Sequence, residues 1–279
     1  MTAVVVTGLR KSYGEHEALK GIEFTINRGE VFGLLGPNGA GKTTTVEILE
    51  GYRNRDAGDV QVLDVDPQHS GSAWRERIGV MLQSSSLYPN LTVRESLRVF
   101  AGYYARPRGA DEVIEIVELG EKADARVRTL SGGQQRRLDL GLALVGDPEL
   151  VFLDEPTTGF DPGARRSAWQ TIRNLRELGK TVLLTTHYLD EAAQLADRVA
   201  VLRGGVIVRE GAPAELTGGV VETEIRYRRN GGEVVERTRE PTQRLQELTA
   251  EAIARGEELE ELEVRRPTLE DVYLELTSE

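Results

Sequence analysis

A glycine-rich loop between an apolar run and a helix is the feature that most restricts how this chain can fold. Gly36–Thr43 fits the pattern G-x-x-x-x-G-K-[S/T], and the run directly before it, Val31–Leu35, is short and apolar. A helix is predicted to follow from Lys42 to Glu50 and to end at Gly51. A strand, a glycine-rich turn and a helix in this order predict a phosphate-binding loop, because backbone amides and a lysine then surround phosphate oxygens.

Further short apolar runs alternate with helical segments along the chain. They lie at Ile78–Leu82, Leu150–Leu153 and Val182–Thr185, with a helix predicted between the last two. Strands that alternate with helices form parallel sheets covered on both faces. The sequence therefore predicts an α/β fold with a central, mainly parallel sheet, which a hairpin of Val199–Leu202 and Val206–Val208 closes.

A smaller second domain is predicted at the C-terminus. Residues 219–279 hold 16 acidic and nine basic side chains, so much of the net charge of −11 lies there. This shift, together with glycines at Gly218-Gly219, indicates a boundary between residues 2–218 and residues 219–279. Alternating apolar residues and a helix near Gln243–Arg255 predict a small α+β domain after the boundary.

Composition and charge exclude several classes of function. A net charge of −11 argues against a nucleic-acid binder, because phosphate neutralisation requires clustered lysine and arginine. The chain has no cysteine, which excludes disulfides and cysteine-bound zinc. No signal peptide is evident in Met1–Thr7, and no run of about 18 apolar residues occurs, so no membrane-spanning helix is expected. Any role at a membrane is expected to come through a partner.

Two adjacent carboxylates, Asp154 and Glu155, follow the apolar run Leu150–Leu153. Unpaired charges at the end of a buried strand are costly, so a chemical role is expected. Beside a phosphate loop, Asp154 is expected to bind Mg²⁺ through water, with the Thr43 hydroxyl as a direct ligand. Glu155 is then the general base for an attacking water. The alternative is a pair of helix N-caps before Pro156.

The run Leu130-Ser131-Gly132-Gly133-Gln134 opens another predicted helix. The helix carries apolar residues or glycine at the spacing of one face, and the amides of Ser131, Gly132 and Gly133 can bind an anion at its start. In an α/β layout this helix lies far from Gly36–Thr43. The anion that it binds is therefore not expected to be held by the same chain's phosphate loop.

With these three motifs in order, the chain resembles the ATP-binding subunits of ABC transporters over roughly residues 2–218. The resemblance implies a P-loop NTPase (ABC ATPase) fold with an antiparallel subdomain and a helical subdomain at about residues 84–147. It implies ATP and Mg²⁺ as cofactors. It also implies a second ATPase subunit, identical or a paralogue, in a head-to-tail dimer in which Ser131 and Gly133 contact the γ-phosphate held by the opposite subunit.

The resemblance also assigns roles outside the three motifs. His187 would contact the γ-phosphate, although a lone histidine is often structural; Tyr13 would stack on adenine, although it is also consistent with a surface strand. Gln83 would bind Mg²⁺, and Asp161 would cross the dimer interface. The expected nucleotide-binding residues are Tyr13, Gly36, Pro37, Asn38, Gly39, Ala40, Gly41, Lys42, Thr43, Thr44, Gln83, Ser131, Gly133, Gln134 and Asp161; the catalytic residues are Lys42, Glu155 and His187; the metal-binding residues are Thr43, Gln83 and Asp154.

Two further stretches, Thr186–Ala192 and Pro267–Tyr273, are similar to the type-2 exporter branch, which includes daunorubicin-type drug-efflux ATPases. That branch implies export of a drug-like or lipophilic substrate through a separate permease, at the cytoplasmic face of the cell membrane. Residues 87–89 would form the permease groove or pack in the core, and the acidic domain would support a dimer or only add solubility. An importer ATPase and a soluble non-transport ABC protein remain alternatives.

Overall fold

The structure, a computed structural model, divides the chain into two compact units, Met1–Ala212 and Pro213–Glu279. The division falls shortly before the glycines at which the sequence places a boundary. The residues that the structure describes are 1–82, 87–218, 223–229 and 232–265. Two features predicted above, Gln83 and the stretch Pro267–Tyr273, lie outside the described residues.

The first unit contains nine described strands and seven described α-helices. The strands are β1 (Thr2–Tyr13), β2 (His16–Asn27), β3 (Val31–Leu35), β4 (Ala57–Val62), β5 (Ile78–Met81), β6 (Leu150–Asp154), β7 (Thr181–Thr186), β8 (Arg198–Arg203) and β9 (Val206–Gly211). The helices are α1 (Lys42–Leu49), α2 (Ser72–Arg75), α3 (Val93–Ala101), α4 (Ala110–Ile116), α5 (Gly132–Leu144), α6 (Pro162–Glu177) and α7 (Leu189–Leu195). Short 3₁₀ turns lie at Pro67–His69, Gly120–Lys122 and Val127–Thr129.

The central sheet has the strand order β5-β6-β7-β3-β8-β9. Neighbouring strands are parallel except at the β8–β9 hairpin. All residues of β3, β6 and β7 are buried, as expected for strands covered on both faces. The predicted α/β fold with a mainly parallel sheet is confirmed, and the C-terminal ends of β3, β6 and β7 meet at one edge.

An antiparallel sheet of order β2-β1-β4 shares a core with one face of the central sheet. The Phe24 ring of β2 stacks on the Phe32 ring of β3, with centroids 5.4 Å apart. Val46 and Leu49 of α1 belong to the same core cluster. This packing holds α1, and with it the loop that precedes α1, between the two sheets.

Helices α3, α4 and α5 pack together around a second core cluster. A capping box of Thr92 and Glu95 begins α3. The predicted apolar face of α5 is confirmed, since Leu138 and Val145 are buried. Helix α5 packs against β5, and the same cluster includes Val151 of β6, the strand that ends in the acidic pair.

The second unit contains α8 (Pro213–Gly218), β10 (Thr223–Arg229), β11 (Gly232–Thr238), α9 (Pro241–Arg255) and β12 (Glu260–Arg265). Its antiparallel sheet has the order β11-β10-β12. Ile225 and Tyr227 of β10 pack with Leu248 of α9, and these three form the buried part of its core. Across the described parts of the whole chain, no helix is both long and apolar enough to cross a membrane.

Candidate functional site

The loop between β3 and α1 is held in shape by glycines that packing requires. A Cβ on Gly36 would lie 2.3 Å from the carbonyl oxygen of Leu202, a distance that no side chain tolerates. Gly41 has a φ of 109°, and a Cβ there would lie 2.7 Å from a methyl carbon of Leu19. By contrast, Gly39 has a φ of 80° and open space around it. Two of the three glycines are therefore fixed by neighbours in the fold as well as by the loop conformation.

Lys42 is the first residue of α1 and lies inside the loop. Its Nζ donates hydrogen bonds to the carbonyl oxygens of Gly36, at 2.7 Å, and Pro37, at 3.2 Å. The same Nζ lies 3.6 Å from Glu155 Oε1, and only 5% of the lysine side chain is exposed. Burial lowers the pKa of Lys42, against the raising effects of Glu155 and Asp154.

The acidic pair lies at the C-terminal end of β6, beside the end of β7. Thr185 of β7 donates from its hydroxyl to Asp154 Oδ1 at 2.5 Å, and its Oγ1 accepts from the Glu155 amide at 3.0 Å. Glu155 has a φ of 47°, in the left-handed region that non-glycine residues rarely occupy. The next helix, α6, begins at Pro162 with Asp161 as its N-cap, so the alternative of an N-cap pair before Pro156 is wrong.

Three side chains of the site, Lys42, His187 and Thr158, lie next to the Glu155 carboxylate. His187 Nδ1 lies 3.3 Å from Glu155 Oε1 without an aligned hydrogen bond, and the Thr158 hydroxyl donates to Oε2 at 3.2 Å. Burial alone raises the pKa of Glu155, but His187, Lys42 and Thr158 together hold it below its ordinary value. The carboxylate is therefore ionised at neutral pH.

Two carboxyl groups at this edge of the sheet, Asp154 of the acidic pair and the nearby Glu50, are destabilised as anions. Burial, with the neighbouring Glu155 charge as a further cause, raises the pKa of Asp154. Burial likewise raises the pKa of Glu50, which follows α1, to about 8, and the charges of Asp154 and Glu47 add to this effect. Two of the acidic groups at this edge of the sheet therefore hold their protons more tightly than an exposed carboxyl does.

The raised pKa of Glu50 predicts a pH-dependent stability. Between about pH 4.5 and pH 8 the folded chain keeps a proton that the unfolded chain loses, so stability falls as pH rises through this window. Glu50→Gln removes this loss, and we expect the variant to be about 4 to 5 kcal/mol more stable than wild type at pH 8.5 and nearly equal at pH 4. Urea unfolding at both pH values measures the difference. Glu23→Gln, at an exposed position of β2, is the control, and parallel pH profiles for wild type and Glu50→Gln would contradict the prediction.

One open cleft, of about 460 Å³, brings together Tyr13, the phosphate loop and Glu155. The Tyr13 hydroxyl lies 3.4 Å from Thr44 Oγ1, and the Arg53 guanidinium lies 5.2 Å from the centre of the Tyr13 ring. His16 also lines this cleft, although the sequence motifs do not point to it. It pairs with Tyr13 across the tight β1–β2 turn, so its position could have been inferred from Tyr13 and the turn.

A second, wider cleft, of about 820 Å³, contains Ser131, Gly133 and Asp161. Ser131 is the N-cap of α5, and its amide donates to Gln134 Oε1 at 3.0 Å in a capping box. That amide was expected to bind an anion, but in this structure it is bonded within the chain. Asp161 Oδ1 accepts from the amides of Gly163 and Ala164 at 2.8 and 3.0 Å, which lowers the pKa of Asp161.

Three further residues around the acidic pair were not found from the sequence. Thr185 contacts both acidic residues, as described above. Arg136 of α5 donates from Nη2 to the Asp154 carbonyl oxygen at 2.9 Å. Glu191, which is fully buried, accepts from the Thr157 hydroxyl at 2.8 Å. Their only sequence signal is a polar residue on an otherwise apolar strand or helix, and that signal does not reveal the contact.

A parallel sheet with a phosphate loop after β3 and an acidic pair after β6 defines a nucleoside triphosphatase of the P-loop class. The model of the ABC transporter family matches residues 19–158. The Nod factor export ATP-binding protein I of Ralstonia nicotianae is 45% identical over 217 residues, which are 76% of this chain and 67% of that protein. The daunorubicin resistance ATP-binding protein DrrA3 of Streptomyces coeruleorubidus is 40% identical over an alignment of 307 residues that covers 100% of this chain and 96% of that protein.

Solved structures agree with these relatives. The dimeric ATP-binding cassette MJ0796, bound to ADP and Pi, has a TM-score of 0.67 at 28% identity over 75% of this chain and 98% of its own. CbiO1 from Clostridium perfringens, part of the ABC transporter complex cbiONQ, has a TM-score of 0.71 at 28% identity. The match covers 78% of this chain and 91% of CbiO1. The chain therefore belongs to the ABC transporter family and is an ATP-binding, ATP-hydrolysing subunit. The family, fold class and enzyme class expected from the motifs are confirmed.

Proposed function

We propose that this chain is the ATPase subunit of an ABC exporter and works as one half of an ATP-bound dimer. The observation that carries the proposal is the division of the expected site residues between two clefts. Tyr13, Lys42 and Glu155 line one cleft, whereas Ser131 and Asp161 line the other. Two copies arranged head to tail would place the first cleft of each chain against the second cleft of its partner, which completes two sites.

Within one site the residues have complementary roles. Lys42 is already surrounded by loop carbonyls and carries its charge to the β- and γ-phosphates. Glu155 is ionised at neutral pH and accepts a proton from the attacking water. His187, beside Glu155, contacts the γ-phosphate and orients that water. The partner's helix α5 contributes the remaining contacts through its first turn.

The residues present fit a magnesium ion. The Asp154 carboxylate is buried, and burial, with the neighbouring Glu155 charge as a lesser cause, raises the pKa of Asp154; a bound cation would stabilise its ionised form. The exposed Thr43 hydroxyl, at the start of α1, supplies the hard oxygen ligand that Mg²⁺ prefers. When bound, Mg²⁺ would neutralise developing charge on the phosphates. Gln83, the third expected ligand, lies outside the described residues.

The names of the relatives support export, since one is a Nod factor export protein and another a daunorubicin resistance protein. We propose a drug-like or lipophilic substrate and a separate membrane permease, with this chain at the cytoplasmic face of the membrane. Tyr88 and Pro89 are exposed, Tyr88 by 56%, whereas Leu87 packs against the second core. Tyr88 and Pro89 are therefore the proposed contact with the permease.

The dimer proposal is tested by the concentration dependence of hydrolysis. If each site needs two chains, ATPase activity per chain should rise with chain concentration, and the Hill coefficient for ATP should exceed one. Steady-state phosphate release is measured over about a hundredfold range of chain concentration. Light scattering at saturating ATP gives the molar mass of the protein over the same range. Constant activity per chain together with a monomeric mass would contradict the proposal.

A further inference from the structure

We infer that Arg136 is a positioning residue that links the two half-sites within one chain. This inference rests on the function proposed above. Arg136 lies on α5, about one and a half turns beyond Ser131, so the helix that opens the wider cleft also carries this side chain. The side chain is only 11% exposed, and its Nη1 lies 3.9 Å from Asp139 Oδ2 on the same helix. A buried arginine requires partners for its donors.

The Arg136 guanidinium binds backbone carbonyls at the ends of two central strands. Nη2 donates to the carbonyl oxygens of Asp154, at 2.9 Å, and Glu155, at 3.2 Å. Nε donates to the Pro156 carbonyl at 3.3 Å, and Nη1 donates to the Leu82 carbonyl. One side chain therefore contacts every backbone carbonyl from residue 154 to residue 156 and also the residue that follows β5.

These contacts act on the conformation of Glu155. With a φ of 47°, its backbone is strained and requires support from its surroundings. Thr185 supports the amide side of Glu155, and Arg136 supports the carbonyl side. A planar guanidinium has several donors in fixed directions and can hold several carbonyls at once, whereas the ammonium of a lysine cannot match this geometry.

The consequence is a coupling between the two clefts. An anion bound at the first turn of α5 would displace this helix, which is rigid between Ser131 and Arg136. Arg136 would then transmit the displacement of the helix to the backbone carbonyls around Glu155. Occupancy of the cleft at Ser131 by the partner's phosphate would then favour the Glu155 geometry needed for this chain's own hydrolysis. Each chain would thereby hydrolyse its ATP efficiently only when its partner is also loaded.

The test compares Arg136→Met, which keeps the apolar stem but loses every donor, with Arg136→Lys in the full chain. Dimer formation is scored by light scattering in a Glu155→Gln background, and turnover and its Hill coefficient are measured with Glu155 present. For Arg136→Met we expect turnover to fall about tenfold or more and the ATP concentration for half dimerisation to rise about tenfold or more. ATP affinity of the monomer should change by less than about threefold. Arg136→Lys should have a turnover and an ATP concentration for half dimerisation between those of wild type and Arg136→Met. The Hill coefficient for ATP should approach one in both Arg136 variants.

Arg173→Met is the matched control, because Arg173 of α6 donates to Gln170 and lies away from both clefts. Wild-type turnover, cooperativity and dimerisation in both Arg136 variants would overturn the inference, and so would a loss of monomer affinity as large as the loss of turnover. If circular dichroism shows Arg136→Met unfolded, Arg136→Lys decides by the same criteria. If the Glu155→Gln parent does not dimerise with ATP, both the proposed dimer and the coupling through Arg136 are wrong. If the parent dimerises and its Arg136 variants dimerise at the same ATP concentration, only the coupling is wrong.

Discussion

Glu155→Gln is expected to reduce ATP turnover by about a thousandfold while ATP still binds, since loss of a general base typically costs a factor of about 10² to 10⁴. Glutamine has the same size, so the contacts of the strained backbone with Thr185 and Arg136 should persist. It also removes one negative charge 3.6 Å from Lys42, which favours anionic phosphates in the cleft. ATP-bound dimers should therefore accumulate.

Two measurements check this result: single-turnover hydrolysis of ATP and the mass of the chain with ATP by sizing and light scattering. Glu177→Gln, at the exposed end of α6, makes the same chemical change away from the site and should behave as wild type. Turnover above about a tenth of the wild-type rate would argue against a general-base role. A variant that binds ATP but stays monomeric would count against the dimer.

Lys42→Ala is expected to weaken ATP affinity about a hundredfold, because the variant loses charge-assisted hydrogen bonds to the phosphates. Stability should change little by comparison. Burial already disfavours the Lys42 ammonium, as its lowered pKa indicates. Its removal therefore relieves a desolvation cost, which offsets the loss of two carbonyl bonds and of the ion pair with Glu155. The expected pattern is a large loss of affinity in a folded chain.

Equilibrium dialysis with ATP measures the affinity, and thermal unfolding without nucleotide measures stability. Lys180→Ala is the control, since Lys180 donates to Asp147 at 2.7 Å and lies outside both clefts. Unchanged ATP affinity in Lys42→Ala would contradict the proposed role of this lysine. A loss of affinity that accompanies unfolding would instead indicate that the lysine matters mainly for the shape of the loop.

Much of the fold could be predicted because its signals are local. The run Val31–Leu35 is strand β3 with the predicted bounds, and α1 begins at Lys42 as expected. The helix start at Ser131 was also found from short spacings. Each of these features depends on residues within a few positions of one another, where periodicity and capping preferences act directly.

Contacts between distant residues could not be predicted in the same way. Thr185 and Glu155 are hydrogen-bonded although 30 positions separate them, and Arg136 reaches Leu82 across 54 positions. These pairs meet because β6 lies between β5 and β7 and because α5 packs on β5. No periodicity in the sequence encodes which polar side chain points at which strand end.

The sequence by itself determined the phosphate loop, the acidic pair, the α/β class and the family, because each depends on short motifs in a fixed order. Only the tertiary structure decided which residues line each of the two clefts and which groups surround Glu155. The physical reason is that strand order and helix packing, rather than local propensity, set the few ångströms that separate Glu155 from Lys42 and His187.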